Sequence, residues 1–176
     1  EWTLEYLARD VGGGDALMAL DEQPLPDEEV DWTGIDEDIR PAVSAILEHC
    51  DACAEALFDV EHRTAMRRFL ARAARNDPKV FGRKGSPVRG AAAVAWIVTT
   101  GNRTAGVWSG EMTTKDLLAH FGIGGSVSDR AVTLARAAGV SDSYMAYTPE
   151  LKDPALLVSA RRRSLIQSRD RALAEG

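Results

Sequence analysis

Cys50 and Cys53 stand in a C-x-x-C spacing, with His49 beside them and His62 further along the chain. That spacing suits a redox pair or half of a zinc site. The surrounding periodicity reads as helix, which puts the two thiols one turn apart. No second cysteine pair accompanies them, and no strand precedes them as a thioredoxin-type motif requires. The expectation is a packed, reduced helix face, since free cysteine behaves as a small buried hydrophobe. No metal and no cofactor is expected. Asp59, Glu61 and His62 form the other group capable of acid–base work. On a helix Asp59 and His62 merely share a face. No Ser/His/Asp arrangement with a strained elbow, no HExxH and no Walker pattern is visible. His62 is read as a helix-packing histidine, and the chain as a non-enzyme.

Charge says more than these motifs. The 176 residues carry a net charge of −6, which looks unfavourable for nucleic acid. The distribution reverses that impression. Residues 1–60 hold 17 acids against two bases, a net −15; residues 61–176 hold 19 bases against 10 acids, a net +9. So large an asymmetry suggests a polyanion partner for the basic part, or an acidic arm that folds over it and neutralises it. No run of about 18 apolar residues exists, so no membrane partner is expected. With no basic-then-apolar leader at the start, a cytoplasmic location is expected. The missing initiator Met suggests a trimmed chain or a fragment.

The elements that would position these groups read as all-α. Residues 1–35 are expected to be an acidic N-terminal arm, partly disordered. Gly12-Gly13-Gly14 interrupts it, and Asp21 to Asp31, with Pro24 and Pro26, has the composition of a solvated linker. Residues 36–176 are expected to form a helical domain. Asp38 with Pro41 opens its first helix, which breaks near Asp59. The next helix carries a basic stripe of Arg63, Arg67, Arg68, Arg72 and Arg75 and ends at Asn76-Asp77-Pro78. Ser86-Pro87 opens a helix whose body, Ala91 to Val98, is apolar all round and therefore central. Lys79 to Gly85 and Ser141 to Lys152 read as irregular, and Asp153-Pro154 as the start of the last helix.

Between them, residues 113–139 have the layout of a helix-turn-helix. Thr113-x-x-Asp116 is a capping-box start; Leu117, Leu118 and Phe121 give an apolar face; Gly122-Ile123-Gly124-Gly125 is the turn. Ser126-x-x-Asp129 starts the second helix by the same logic, and Gly139 ends it. Leu117 and Phe121 are expected to meet Val127, Ala131 and Leu134, with Ile123 in the corner. That leaves Asp129, Thr133 and Arg136 facing outward, flanked by Ser128 and Arg130.

Arg89 to Gly139, an alanine-rich helix followed by T-x-x-D-L-x-x-x-F-G-I and a second helix, resembles the cyclin-type repeat of the general transcription factor B family. Asp36 to Gly139, with Cys50-x-x-Cys53, Lys115-Asp116-Leu117 and Ser126-Val127-Ser128-x-Arg130, resembles a largely actinobacterial domain family of unknown function. The resemblance implies a helical fold ending in this motif. Two departures stand out: Leu118 occupies a position usually held by a small residue, and the turn is one residue short. The reading is a DNA-associated transcription regulator that contacts duplex DNA through Ser128, Arg130, Thr133 and Arg136, and through Arg161, Arg162 and Arg163 on the last helix. The alternative is a non-enzymatic protein-interaction module on the same scaffold, with a protein partner in place of DNA.

Overall fold

The computed structural model describes residues 2–82, 84–140 and 149–176. Among them there are eight α-helices, four short 3-10 turns and no strand. α1 (Trp2–Val11) and α2 (Gly14–Met18) precede the long pair α3 (Arg40–Leu57) and α4 (Val60–Asn76). α5 (Pro87–Gly101), α6 (Thr114–His120), α7 (Ser128–Ala138) and α8 (Ser159–Glu175) follow.

α5 is the axle. Ala91 to Ala95, Ile97 and Val98 are all fully buried, as expected of a helix with no polar face. α3, α4 and α7 surround it, and α7 lies against both α4 and α5. Small residues set the spacing: a Cβ at Gly90 would lie 3.1 Å from Ile46 Cδ1 on α3 and 3.6 Å from an Arg130 guanidinium nitrogen on α7. Ser86 caps α5 by accepting from the Arg89 N–H, with Pro87 in the first turn. Gly139 ends α7 in the left-handed conformation, φ 70°.

Several starts differ from their sequence reading. The first long helix is led by Asp36, whose carboxylate accepts from the Asp38 N–H and caps a 3-10 turn, Glu37–Ile39. α7 begins without a side-chain cap from Ser126. That hydroxyl accepts instead from the Ser128 N–H, two residues on, and so is used up in a local turn. Asp153-Pro154 opens only the 3-10 turn Pro154–Leu156. α8 starts five residues after Pro154, because the buried Asn102 side chain accepts from the Val158 N–H and donates to the Leu156 carbonyl, holding that stretch extended. Of the Ser141–Lys152 loop, residues 141–148 lie outside the described residues, as does Arg83 of the basic loop.

Of residues 1–35, expected as a partly disordered arm, residues 2–35 lie on the domain. Val11, Leu17, Leu25 and Ile35 are buried in the common core. Between them, residues 20–32 run as an extended strap along α4. The physical reason is charge complementarity with the arginine stripe: Asp27 pairs with Arg63 at 2.5 Å, Glu28 with Arg68 at 2.5 Å, and Asp31 with Arg75 at 3.8 Å. Backbone carbonyls of the strap join in, Pro26 accepting from the Thr64 hydroxyl and Glu28 from Arg67. Composition described the carboxylates correctly as unable to build a core. It could not show that an arginine row lay opposite them.

Candidate functional site

α6 is short and amphipathic. Its capping box forms as expected: Thr113 Oγ1 accepts from the Asp116 N–H at 3.0 Å, and the Asp116 carboxylate accepts from the Thr113 N–H at 3.3 Å. Leu117 is buried towards α5. Val127, Ala131, Leu134 and Ala138 of the second helix also point inward, onto α4 and α5. α6 and α7 themselves make little backbone approach, so the expected corner is open. In its place lies an apolar cleft of about 530 Å³. Leu118, Ala119, Ile123 and Val127 line it, Trp96 contributes from α5 and Val107 from the preceding loop. Leu118 is one of the two departures from the usual motif; its bulk at a normally small position is consistent with a helix pair held apart.

Ser126, Val127 and Ser128 are shared with a second, polar cleft of about 500 Å³, which Arg89, Asp129, Arg130 and Thr133 line. Arg89 donates to the Ser126 carbonyl at 2.7 Å and fixes the turn between the two clefts.

The residues expected to touch DNA fall into two groups. Ser128 and Arg136 are exposed, while Arg130 and Thr133 are half-buried; Thr133 Oγ1 donates to the Asp129 carbonyl at 3.1 Å. On α8, Arg161 bonds Asp10 at 2.6 Å, and burial pulls its pKa down despite that carboxylate. Arg162, only 4% exposed, donates to the Leu157, Asp21 and Gln23 carbonyls and to the Asp21 carboxylate. Arg163 is more exposed and lies 3.3 Å from Glu22. The α8 triplet therefore holds α1 and the strap, away from the α7 residues. Periodicity could not show this, because the three arginines face different surroundings set by residues about 140–150 positions earlier.

The strap side is closed around Glu61. Its carboxylate accepts from the Leu25 N–H, the Ser159 N–H and the Ser159 hydroxyl at 2.7–2.8 Å, joining strap, α4 and α8. Burial pushes Glu61 up, but the Ser159 and Leu25 hydrogen bonds outweigh it and hold it below its ordinary value. Arg67 grips Asp51 with two 3.0 Å bonds, which raise the arginine further. Cys50 and Cys53 are buried free thiols on the α3 face towards α5; burial pushes Cys53 up to about 12 and Cys50 up as well. Among the described residues no group of three His, Cys, Asp or Glu is placed to hold a metal ion. No helix there is long and apolar enough to cross a membrane.

Comparison with known proteins returns no match to a family model, a curated protein or a solved structure.

Proposed function

We propose that the chain is a protein-interaction module whose docking site is the cleft between α6 and the start of α7. The observation that carries this is the cleft itself. A volume of about 530 Å³ with Trp96, Leu118, Ile123 and Val127 on its walls accommodates one or two large apolar side chains. Lys115 on the same cleft, and Arg89 in the adjoining one that Asp129 also lines, favour an acidic flank. The occupant is an amphipathic segment of a partner protein, apolar on one face and carrying Asp or Glu beside its anchors. Duplex DNA is less favoured. The arginines of α4, together with Arg161 to Arg163, already have carboxylate partners within the chain. A phosphate track would have to displace them.

Selection from a displayed random-peptide library tests this reading. The expected result is enrichment of peptides with one or two aromatic or leucine anchors next to acidic residues. Their binding shifts tryptophan emission, and Trp96→Phe removes the shift. Ala119→Arg, at the exposed mouth of the cleft, abolishes binding, and Arg136→Ala leaves it intact. The reading is lost if no peptide is enriched while a duplex of about 20 base pairs binds with an affinity that falls steeply with salt and with loss of Arg136. That is the signature of counterion release.

A further inference from the structure

Beyond the C-terminal end of α5, three side chains distant in sequence form a continuous hydrogen-bonded row. Asp59 Oδ1 lies 2.7 Å from His62 Nδ1, and His62 Nε2 lies 2.9 Å from Thr104 Oγ1. Asp59 also caps α4 by accepting from the His62 N–H at 2.9 Å. The His62 ring is buried and stacks on Phe58 at 4.8 Å, so its orientation is set by packing as well. Thr104 follows Arg103, a non-glycine residue at φ 62°, a conformation that costs of order 1 kcal/mol or more and is concentrated at functional sites. Thr104 also lines an open cleft of about 530 Å³, with Leu57, Phe58 and Met112 as its apolar wall.

The partners of this row constrain where its protons sit. Its bond to His62, foremost, holds the Asp59 carboxyl below its ordinary value, so it accepts, and Nδ1 carries the hydrogen. In the neutral ring that leaves Nε2 with its lone pair, 2.9 Å from the Thr104 hydroxyl. That hydroxyl has one hydrogen and two acceptors in reach: the Thr99 carbonyl, to which it donates, and Nε2, to which it must turn for the ring to act as a base. The Thr99 carbonyl lies 3.0 Å from Oγ1 and is independently held by the Thr104 N–H at 2.9 Å. Hydroxyl, imidazole and carboxylate thus stand in the order of nucleophile, base and orienting group, with the Asp59 carboxylate on the exposed side.

We propose that Asp59, His62 and Thr104 form an acyl-accepting site for small carboxylic esters with an apolar acyl chain. Thr104 Oγ1 bonds to the acyl carbon as its proton passes to His62 Nε2. The ester C–O bond breaks, and the alcohol leaves with that proton. Water, deprotonated by the same nitrogen, then attacks the threonyl ester, releasing the carboxylic acid and restoring the hydroxyl. Asp59 keeps the ring in the required tautomer and stabilises the imidazolium. Phe58 and Met112 receive the acyl chain.

A β-lactone carrying a short alkyl chain is the probe, because ring opening leaves its whole mass on the nucleophile. Intact mass spectrometry of the full chain should show one adduct, and peptide mapping should place it on Thr104. Thr104→Ser should keep the adduct. Thr104→Val, which preserves shape, and His62→Gln should lower labelling at least tenfold with the helical circular dichroism unchanged. An unlabelled residue 104 in both the wild type and Thr104→Ser overturns the proposal. So does equal labelling of Thr104 in His62→Gln. Both of these results are decisive even if Thr104→Val fails to fold.

Discussion

Along α4 every arginine of the stripe meets an acidic side chain: Arg63 with Asp27, Arg67 with Asp51, Arg68 with Glu28, Arg72 with Asp153 and Arg75 with Asp31. At the α6–α7 end, Lys115, Asp129 and Arg136 are exposed, and an apolar cleft stands open between the helices. The first region looks functional in sequence because its charge is so uneven. In the folded chain that charge is spent internally. The second region is almost balanced in charge, yet it is where apolar surface remains accessible. A charge imbalance between two stretches therefore indicates a polyanion partner only after their mutual pairing has been subtracted.

The comparison breaks most visibly if the strap can be removed. Deleting residues 1–35 strips Val11, Leu17, Leu25 and Ile35 from the core. At ~1.5–3 kcal/mol for each buried side chain, together about 6–12 kcal/mol, the loss rivals the ~5–15 kcal/mol that holds a typical domain folded. The truncated chain should lose its cooperative thermal transition in a circular dichroism melt. A truncated chain that melts like the full one would return residues 1–35 to the status of a linker.

Single substitutions sharpen the same contrast. Arg67→Ala leaves the half-buried Asp51 without its two-pronged partner, and should cost about 2 kcal/mol by denaturant titration. Glu61→Ala leaves the Leu25 and Ser159 donors unmet. It should cost about 2–6 kcal/mol, at ~1–3 kcal/mol for each unsatisfied group, and hydrogen exchange should show the strap and the start of α8 opening together.

Acid should separate the two regions next. Arg68, chiefly through its hydrogen bond, holds Glu28 below its ordinary value, and Glu61 is depressed by its own donors. A depressed carboxylate stabilises the fold fully above its unfolded pKa, and that contribution is lost as pH falls through the folded value. Strap stability should therefore be constant above about pH 5 and decline below the ordinary value of 4.5. Amide protection, corrected for the intrinsic exchange rate at each pH between 6 and 3, should fall in residues 20–32 before it does in α6 and α7. The smallest effect belongs to Ala119→Arg and Arg136→Ala, both exposed, each within about 0.5 kcal/mol of the wild type. A larger loss from Ala119→Arg would mean that the cleft closes in solution.

Much of the helical framework was legible because its signals are local. Apolar residues at helical spacing located α3, α4 and α5. Ser86-Pro87, Asn76-Asp77-Pro78, Thr113-x-x-Asp116 and Gly139 marked boundaries where one residue's backbone preference or one short side chain settles the matter. Ser126 was misleading for the same reason: its hydroxyl found a nearer N–H than the helix offered. The sequence by itself determined an all-α reading, a buried body for α5 and the two helices with a glycine turn between them. Only the tertiary structure decided which charges meet, because Asp21 and Arg162 are 141 residues apart and no periodicity relates them. It also decided that the α6–α7 corner opens into a cleft, since that depends on where α4 and α5 hold α7. And it alone brought Thr104 to His62 across 42 residues. A hydroxyl 2.9 Å from an imidazole leaves no trace in the spacing of either residue.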